Sequence, residues 1–247
     1  MRLLTDLTPL DPALGLAIEE VLLDSVRTDG VETIRLWRNS RAVILGRSQS
    51  LSAEVDQVCA AKLDIPILRR ISGGGTVYHY SGNLNISLFL KKRSQFPDVS
   101  SVFDFFGTTL CNALALLSID IHAQDNGLFI GDEKVGGAAQ AHRGVALLYH
   151  TTLLVRESPI PLETLLSAMR PGYRAEGIAS RPRSTTSLSE HTICSEPQEL
   201  VAPIVDALAC ALDVDQLIPG ALTSQESQRS MALQTTKYGS TTWNAKL

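Results

Sequence analysis

Three glycines in a row, Gly73, Gly74 and Gly75, follow two arginines and an apolar run at 65–68, in the stretch Arg69-Arg70-Ile71-Ser72-Gly73-Gly74-Gly75-Thr76-Val77-Tyr78-His79. Regular helix or strand is weakened by each glycine, so the chain turns here. Without Cβ atoms the backbone can take positive φ, and its N–H groups can approach a ligand closely. Successive free N–H groups form an anion-binding concavity. The two guanidiniums beside it add fixed, forked positive charge. The stretch therefore reads either as a plain turn between strands or as a seat for a phosphate or carboxylate. Neither common nucleotide signature is present: there is no G-x-x-x-x-G-K-[ST], and no G-x-G-x-x-G opens a helix.

A chain of 247 residues suffices for one large domain or two modest ones. With 44% hydrophobic and 19% charged residues it has globular rather than disordered composition. A net charge of −4 argues against broad nucleic-acid binding, which needs a basic footprint. The N-terminus meets acid and proline too early for a signal peptide. No apolar run approaches the roughly 20 residues that span a bilayer. Cys59, Cys111, Cys194 and Cys210 are scattered without a C-x-x-C pair, which fits reduced thiols in a cytoplasmic protein.

Asp11-Pro12 signals a helix start, Leu14, Ala17, Ile18, Val21 and Leu22 continue it at helical spacing, and Gly30 ends it. Glu19 and Glu20 fall inside this helix. Runs at 34–37 and 42–45 read as paired strands around Asn39-Ser40-Arg41, followed by a loop and a helix over 52–62. Alternation at 84–90 predicts a strand. Val102, Phe105, Phe106, Thr109, Leu110, Ala113, Leu114 and Leu117 form a helical core stripe. Strands are expected at 119–123, 128–130 and 145–155, with a tight turn at Gly131-Asp132-Glu133, and helices at 162–169 and 200–212. The aperiodic segment 170–189 is a long loop, of the kind that serves as a lid or binding loop or is simply disordered. Hairpins and helices without regular βαβ alternation favour an α+β fold.

A second candidate site lies at Lys134-Val135-Gly136-Gly137-Ala138-Ala139, where a point charge is flanked by small residues that leave space for a ligand. Taken with the glycine run, it makes the chain similar to the lipoate–protein ligase family, whose catalytic domain is shared with biotin ligases and octanoyltransferases. The first motif resembles R-R-x-S-G-G-G-x-V-Y/F-H-D-x-G-N and extends here to Tyr80-Ser81-Gly82-Asn83. The second resembles K-x-S/G-G-x-A, and Gly46-Arg47-Ser48-Gln49 resembles a G-R-x-Q loop. These matches, with the Glu19-Glu20 pair, come in family order over about residues 11–155.

The resemblance implies a mixed, largely antiparallel sheet flanked by helices, the biotinyl/lipoyl ligase fold related to class II aminoacyl-tRNA synthetases. It implies one catalytic domain over 1–247, without the accessory C-terminal domain of two-domain ligases. It also implies that lipoate attacks the α-phosphate of ATP to give lipoyl-adenylate, and that an acceptor lysine then takes the acyl group. Lys134 would be the catalytic cation, stabilising charge on the carboxyl and α-phosphate oxygens. Arg70, Ser72, Gly73, Gly74, Gly75, Val77, His79, Asn83, Gly137, Ala139 and Arg47 would bind substrate or nucleotide. Magnesium would bridge the phosphates, with no protein ligand nameable. The partners implied are lipoyl-domain acceptors such as 2-oxoacid dehydrogenase E2 subunits or the glycine cleavage H protein, and a separate accessory-domain protein. Neither nucleic acid nor membrane is expected.

His79 could equally be a hydrogen-bonded sheet histidine, Asn83 a turn residue and Trp37 plain core rather than tunnel wall. The segment 170–189 is the candidate water-excluding loop. Two positions depart from the family pattern: Tyr80 stands where Asp is usual, and Gly15 where many members have Asn. Three rival readings follow. An octanoyl or lipoyl transferase would need a nucleophilic cysteine, and none occurs over 112–193. Biotin ligation would need a G-R-G-R-x-G-R loop, which is absent. A non-catalytic lipoate-binding assembly subunit would not need the charge of Lys134.

Overall fold

Helix α1 (Pro12–Asp29) begins where Asp11 accepts the Leu14 N–H at 2.9 Å and ends at Gly30, whose φ of 71° is left-handed. This computed structural model describes residues 1–193 and 196–247, so Cys194 lies outside the described residues. A strand, β1 (Arg2–Leu10), precedes α1. After it come β2 (Thr33–Asn39), β3 (Ala42–Leu45), the short helices α2 (Leu51–Glu54) and α3 (Gln57–Lys62), β4 (Ile67–Arg69), β5 (Val77–His79) and β6 (Asn83–Lys91). Helix α4 (Val99–Ala115) starts at a reciprocal cap between Asp98 and Ser101. The chain continues through β7 (His122–Gln124), β8 (Gly127–Ile130), β9 (Glu133–Arg143) and β10 (Ala146–Leu154). It closes with α5 (Val201–Ala211), β11 (Ile218–Pro219), α6 (Ser224–Leu233) and α7 (Thr241–Asn244).

Eight strands form one sheet in the order β11-β1-β2-β6-β10-β9-β8-β7. The β11, β1 and β2 contacts are parallel and the rest antiparallel. A three-stranded sheet, β4-β3-β5, lies beside it. The fold is therefore α+β with a mixed, largely antiparallel sheet.

Strand β6 shows how the sheet is divided. Leu84, Ile86, Leu88 and Leu90 face the core built on Phe106, Leu110 and Ile204 of α4 and α5. Phe89 faces the second core, under Leu16 and Leu23 of α1. Asn85 and Ser87, on the α1 side, line a cavity instead. Period-two alternation thus places an apolar face on one core and polar groups at the site.

Several local expectations are corrected. Strands β2 and β3 are not a hairpin: β2 pairs with β1 and β6, and β3 with β4 and β5 in the other sheet. Both are buried along their whole length, so neither shows the alternation that distinguishes pairing partners. The helix expected over 52–62 is broken at Val55, whose φ of −131° is extended. The helix expected over 162–169 is two 3-10 turns, Leu162–Thr164 and Ser167–Met169. At 119–123 the strand is shifted to His122–Gln124. Strands β1 and β11 and helices α6 and α7 were not foreseen.

Candidate active site

The glycine turn, the start of β9, the first turn of α4 and the segment 177–185 enclose a cavity of about 980 Å³. Of the residues named from sequence, Arg70, Gly74, Gly75, Val77, His79, Lys134, Gly137 and Ala139 line it. Ser72 lies buried behind the wall, hydrogen-bonded to Arg70 and His150. Gly73, Asn83 and Arg47 are not among the lining residues. Arg47 is exposed, and Asn83 is buried, donating to the Tyr78 carbonyl at 3.2 Å.

Lys134 reaches this cavity because β9 is irregular. Its register against β8 shifts between Leu128 and Phe129. Such a bulge re-aims side chains. A Cβ on Gly137 would lie 3.3 Å from Lys134 Nζ, so the glycine gives the ammonium room. Burial holds the Lys134 ammonium below the usual lysine range, Arg183 lowers it further, and Asp125 opposes both.

Arg70 is buried, and among the described residues no carboxylate forms an ion pair with it. Its guanidinium donates to the carbonyls of Gly73 at 2.5 Å, Gly75 at 2.8 Å and Ile44 at 3.2 Å, so it braces the glycine turn from inside. Burial brings it down to about 10, with Glu19 opposing. Gly74 has a φ of 83°, which glycine adopts without penalty. Gly46 has to be glycine for a different reason: a Cβ there would lie 2.0 Å from the Gly74 carbonyl oxygen.

A buried relay backs the turn. Arg70 Nε donates to Ser72 Oγ at 2.9 Å, Ser72 Oγ lies 2.7 Å from His150 Nε2, and His150 Nδ1 lies 2.8 Å from Glu19 Oε1. Ser87 Oγ also donates to Glu19 Oε1 at 2.7 Å, and Trp37 Nε1 donates to Ser87 Oγ at 2.9 Å. Burial pushes the Glu19 carboxyl up, but His150, Ser87 and Arg35 together bring it below its ordinary value. Trp37 is both core and cavity wall, 1% exposed. His150 and the function of Glu19 were missed. The available signal was two acids inside the apolar run of α1, where only a partnered carboxylate can be buried.

His79 is held from two sides. Asn39 Nδ2 lies 3.0 Å from Nδ1, and Thr152 Oγ1 lies 3.1 Å from Nε2. This network suits a neutral ring that accepts at Nδ1 and donates at Nε2. Burial drives the imidazole down to about 3. Tyr80, in the place of the usual Asp, points away from the cavity. Its hydroxyl donates to the Arg156 carbonyl at 2.6 Å and its ring stacks on Tyr78. Gly15 admits close packing of α1, since a Cβ there would lie 2.5 Å from both Trp37 Cζ3 and Asn39 Oδ1.

The segment 170–189 does cross the site. Gln49 bridges Gly177, and Lys134 bridges Thr185 through the bonds Lys134 N–H to Ser184 O at 2.8 Å and Thr186 N–H to Lys134 O at 3.2 Å. Among the described residues no three His, Cys, Asp or Glu side chains converge as a metal site, and no helix is long and apolar enough to cross a membrane.

Lys134, half-buried, and the Gly74–Gly75 turn thus border one cavity beside a mixed sheet, the architecture of an enzyme. The model of the lipoyl protein ligase A/B catalytic domain matches residues 11–209, and the chain belongs to that family. It is 27% identical to lipoate-protein ligase A subunit 1 of Thermoplasma acidophilum over 100% of this chain and 97% of that protein. It is 31% identical to lipoate-protein ligase A of Psychrobacter cryohalolentis over 80% of this chain but 56% of that protein. The human mitochondrial lipoyl amidotransferase is 29% identical over 71% of this chain and 47% of that protein. The chain thus spans only about half the length of the last two.

Three solved structures share the fold. A T. acidophilum protein with bound lipoic acid has a TM-score of 0.85 at 26% identity, covering 99% of this chain and 98% of that one. A bipartite lipoate protein ligase from the same organism, solved in a study with its E2 lipoyl domain, has 0.84 at 25% identity, covering 99% and 95%. A lipoate-protein ligase A bound with ATP has 0.82 at 27% identity, covering 99% and 98%.

Proposed function

We propose that this enzyme activates lipoate with ATP and passes the lipoyl group to a lysine of an acceptor lipoyl domain. In the first step a lipoate carboxylate oxygen attacks the α-phosphorus, the bond to the bridging oxygen breaks, and pyrophosphate leaves. In the second, the acceptor amine attacks the acyl carbon, loses a proton, and AMP leaves. Two anions must meet in the first step. The observation that carries the reading is that Lys134 and the Gly74–Gly75 backbone border the same cavity, with Arg70 behind the turn. Fixed positive charge aimed at developing negative charge is the strongest form of transition-state stabilisation available there. His79, Gly137 and Ala139 complete the wall on the β9 and β10 side. The relatives' bound lipoic acid and ATP support the two substrates.

Magnesium enters as part of the MgATP substrate. In that form the ion would be held mainly by phosphate oxygens and water. Of the carboxylates at the cavity, Glu19 and Glu54 are held by protein donors, so Asp104 and Asp125 would be the ones to meet it.

The acceptor is a lipoyl domain, and a separate accessory protein is a candidate partner. Both are supported by the two-part T. acidophilum system. Adenylate formation by the purified chain alone would remove the need for that protein. Work in the cytoplasm fits such partners.

The test is pyrophosphate release dependent on both lipoate and ATP, and its loss in Lys134→Ala. Unchanged turnover in that variant would sink the reading. A second reading, transfer of an already activated lipoyl group without ATP, is favoured by the human relative's name. A thioester route is disfavoured: no cysteine among the described residues lines the cavity, and burial raises the Cys111 thiol. Transfer from lipoyl-adenylate without any ATP-dependent pyrophosphate release would select the amidotransferase reading.

A further inference from the structure

Glu54 is a buried carboxylate to which the chemistry above assigns nothing. It ends α2, is 0% exposed and borders the cavity. Among the described residues no cation forms an ion pair with it. Its hydrogen-bond donors instead come from one stretch of the crossing segment. Tyr173 Oη–H and the Ser180 N–H, at 3.4 Å, donate to Oε1, and Ser180 Oγ–H donates to Oε2 at 2.5 Å. A buried anion that depends on neutral donors from one loop loses all of them when that loop lifts. Hydrogen bonds to a charged acceptor are stronger than neutral ones, so Glu54 ties this segment down through Tyr173 and Ser180.

Ser180 extends the connection to the glycine turn. Besides donating to Glu54, its Oγ accepts from the Thr76 N–H at 3.0 Å and from Gln49 Nε2 at 3.0 Å. Its one donor and both acceptor sites are then used. Gln49 Oε1 accepts in turn from Thr76 Oγ1 at 2.8 Å and from the Gly46 N–H at 3.0 Å. The contact is close: a Cβ on Gly75 would lie 3.1 Å from Ser180 Oγ.

We propose that Glu54 is a positioning residue which, through Ser180, holds the 173–180 segment shut against Gly75 and Thr76 so that the activated acyl group forms out of reach of water. The proposal rests on the adenylate reading above. Glu54 itself does not touch the reacting atoms. When the segment opens, a water oxygen attacks the acyl carbon of the mixed anhydride, the bond from carbonyl carbon to phosphate oxygen breaks, and lipoate and AMP are released with a proton. Loosening the latch therefore converts ATP to AMP and pyrophosphate without lipoyl transfer.

The experiment uses the full chain with Glu54→Gln, Ser180→Ala and Tyr173→Phe. Amide hydrogen exchange is read over 172–187 without substrates. AMP formed per lipoyl group transferred is then read with ATP, lipoate and a lipoyl-domain acceptor. The expected result is exchange in that segment about tenfold faster in Glu54→Gln and Ser180→Ala, from loss of charge-assisted hydrogen bonds. A smaller increase is expected in Tyr173→Phe, with the β6 and β10 amides unchanged. The ratio of AMP to transferred lipoyl rises several-fold in the same order. If Glu54→Gln does not fold, the other two variants decide. Unchanged exchange over 172–187 overturns the latch. Faster exchange with an unchanged AMP ratio overturns its protective role. A wild-type chain that forms no AMP with ATP and lipoate overturns the activity reading, and with it the protective role, while the exchange arm still decides the latch.

Discussion

His150 Nε2 sits 2.7 Å from Ser72 Oγ, joining the Glu19 carboxylate on α1 to the Arg70 guanidinium beside the glycine turn. In the neutral tautomer that donates from Nδ1 to Glu19, His150 Nε2 accepts the Ser72 hydroxyl, which in turn accepts from Arg70. Replacing Glu19 by Ala leaves His150 and Ser87 without an acceptor in a buried site, at a cost of roughly 1–3 kcal/mol. Glu19→Gln keeps an acceptor and should cost less. The folded carboxyl lies below its usual value of 4.5, so its contribution is complete above 4.5 and is lost as pH falls through the folded value. Urea unfolding of Glu19→Gln should lack that portion of the acid sensitivity. An acid limb identical to wild type would contradict the assignment.

His79 gives a second pH dependence of opposite chemical origin. Its folded value is about 3 against an ordinary 6.5, so the unfolded chain takes up the proton first. Stability is therefore full above 6.5 and declines as pH drops towards 3. At pH 5 the loss is about 2 kcal/mol, from 1.36 kcal/mol per pH unit. Unfolding free energies at pH 7.5 and 5.0 test this, with His79→Gln expected to flatten the difference. No flattening would mean that His79 titrates normally.

Gly46→Ala should disable the site through the backbone alone. The new Cβ would overlap the Gly74 carbonyl, which belongs to main chain and cannot swing aside. We expect retained folding, because the sheet core does not depend on this contact, and at least a tenfold fall in lipoate- and ATP-dependent pyrophosphate release. Crystallography of the variant should show the glycine turn displaced; an unmoved turn with full activity would refute the argument.

Tyr80 separates stability from nucleotide binding. Tyr80→Phe removes the bond to the Arg156 carbonyl and should cost about 0.5–1.5 kcal/mol, with KM for ATP unchanged. Tyr80→Asp, which restores the usual family residue, places a carboxylate among Val43, Leu45 and Leu165 and should destabilise the chain further. A gain in ATP affinity in Tyr80→Asp would show that this position does reach the nucleotide.

Motif-level features were legible because they are local. The glycine turn, the Lys134 segment, the Leu84 to Leu90 alternation and the α4 stripe each express a backbone or periodicity requirement within a few residues. The failures were non-local. Strands β2 and β3 are each buried on both faces, so the sequence carries no mark of which sheet each joins. Polar α6 shows no strong apolar stripe; it is held by a partly buried ion pair, Glu226 to Arg2, at 2.7 Å across 224 residues.

By itself the chain's order of residues determined where the backbone must turn, which strand face is apolar and which cation stands beside small residues. Those properties follow from φ freedom, side-chain period and volume. Tertiary structure alone decided that Lys134 and the glycine turn border the same cavity, that Ser72 reaches Glu19 through His150, and that Tyr80 turns away from the cavity. Hydrogen bonds and burial between segments dozens of residues apart depend on how the sheets are assembled, and no local pattern encodes that assembly.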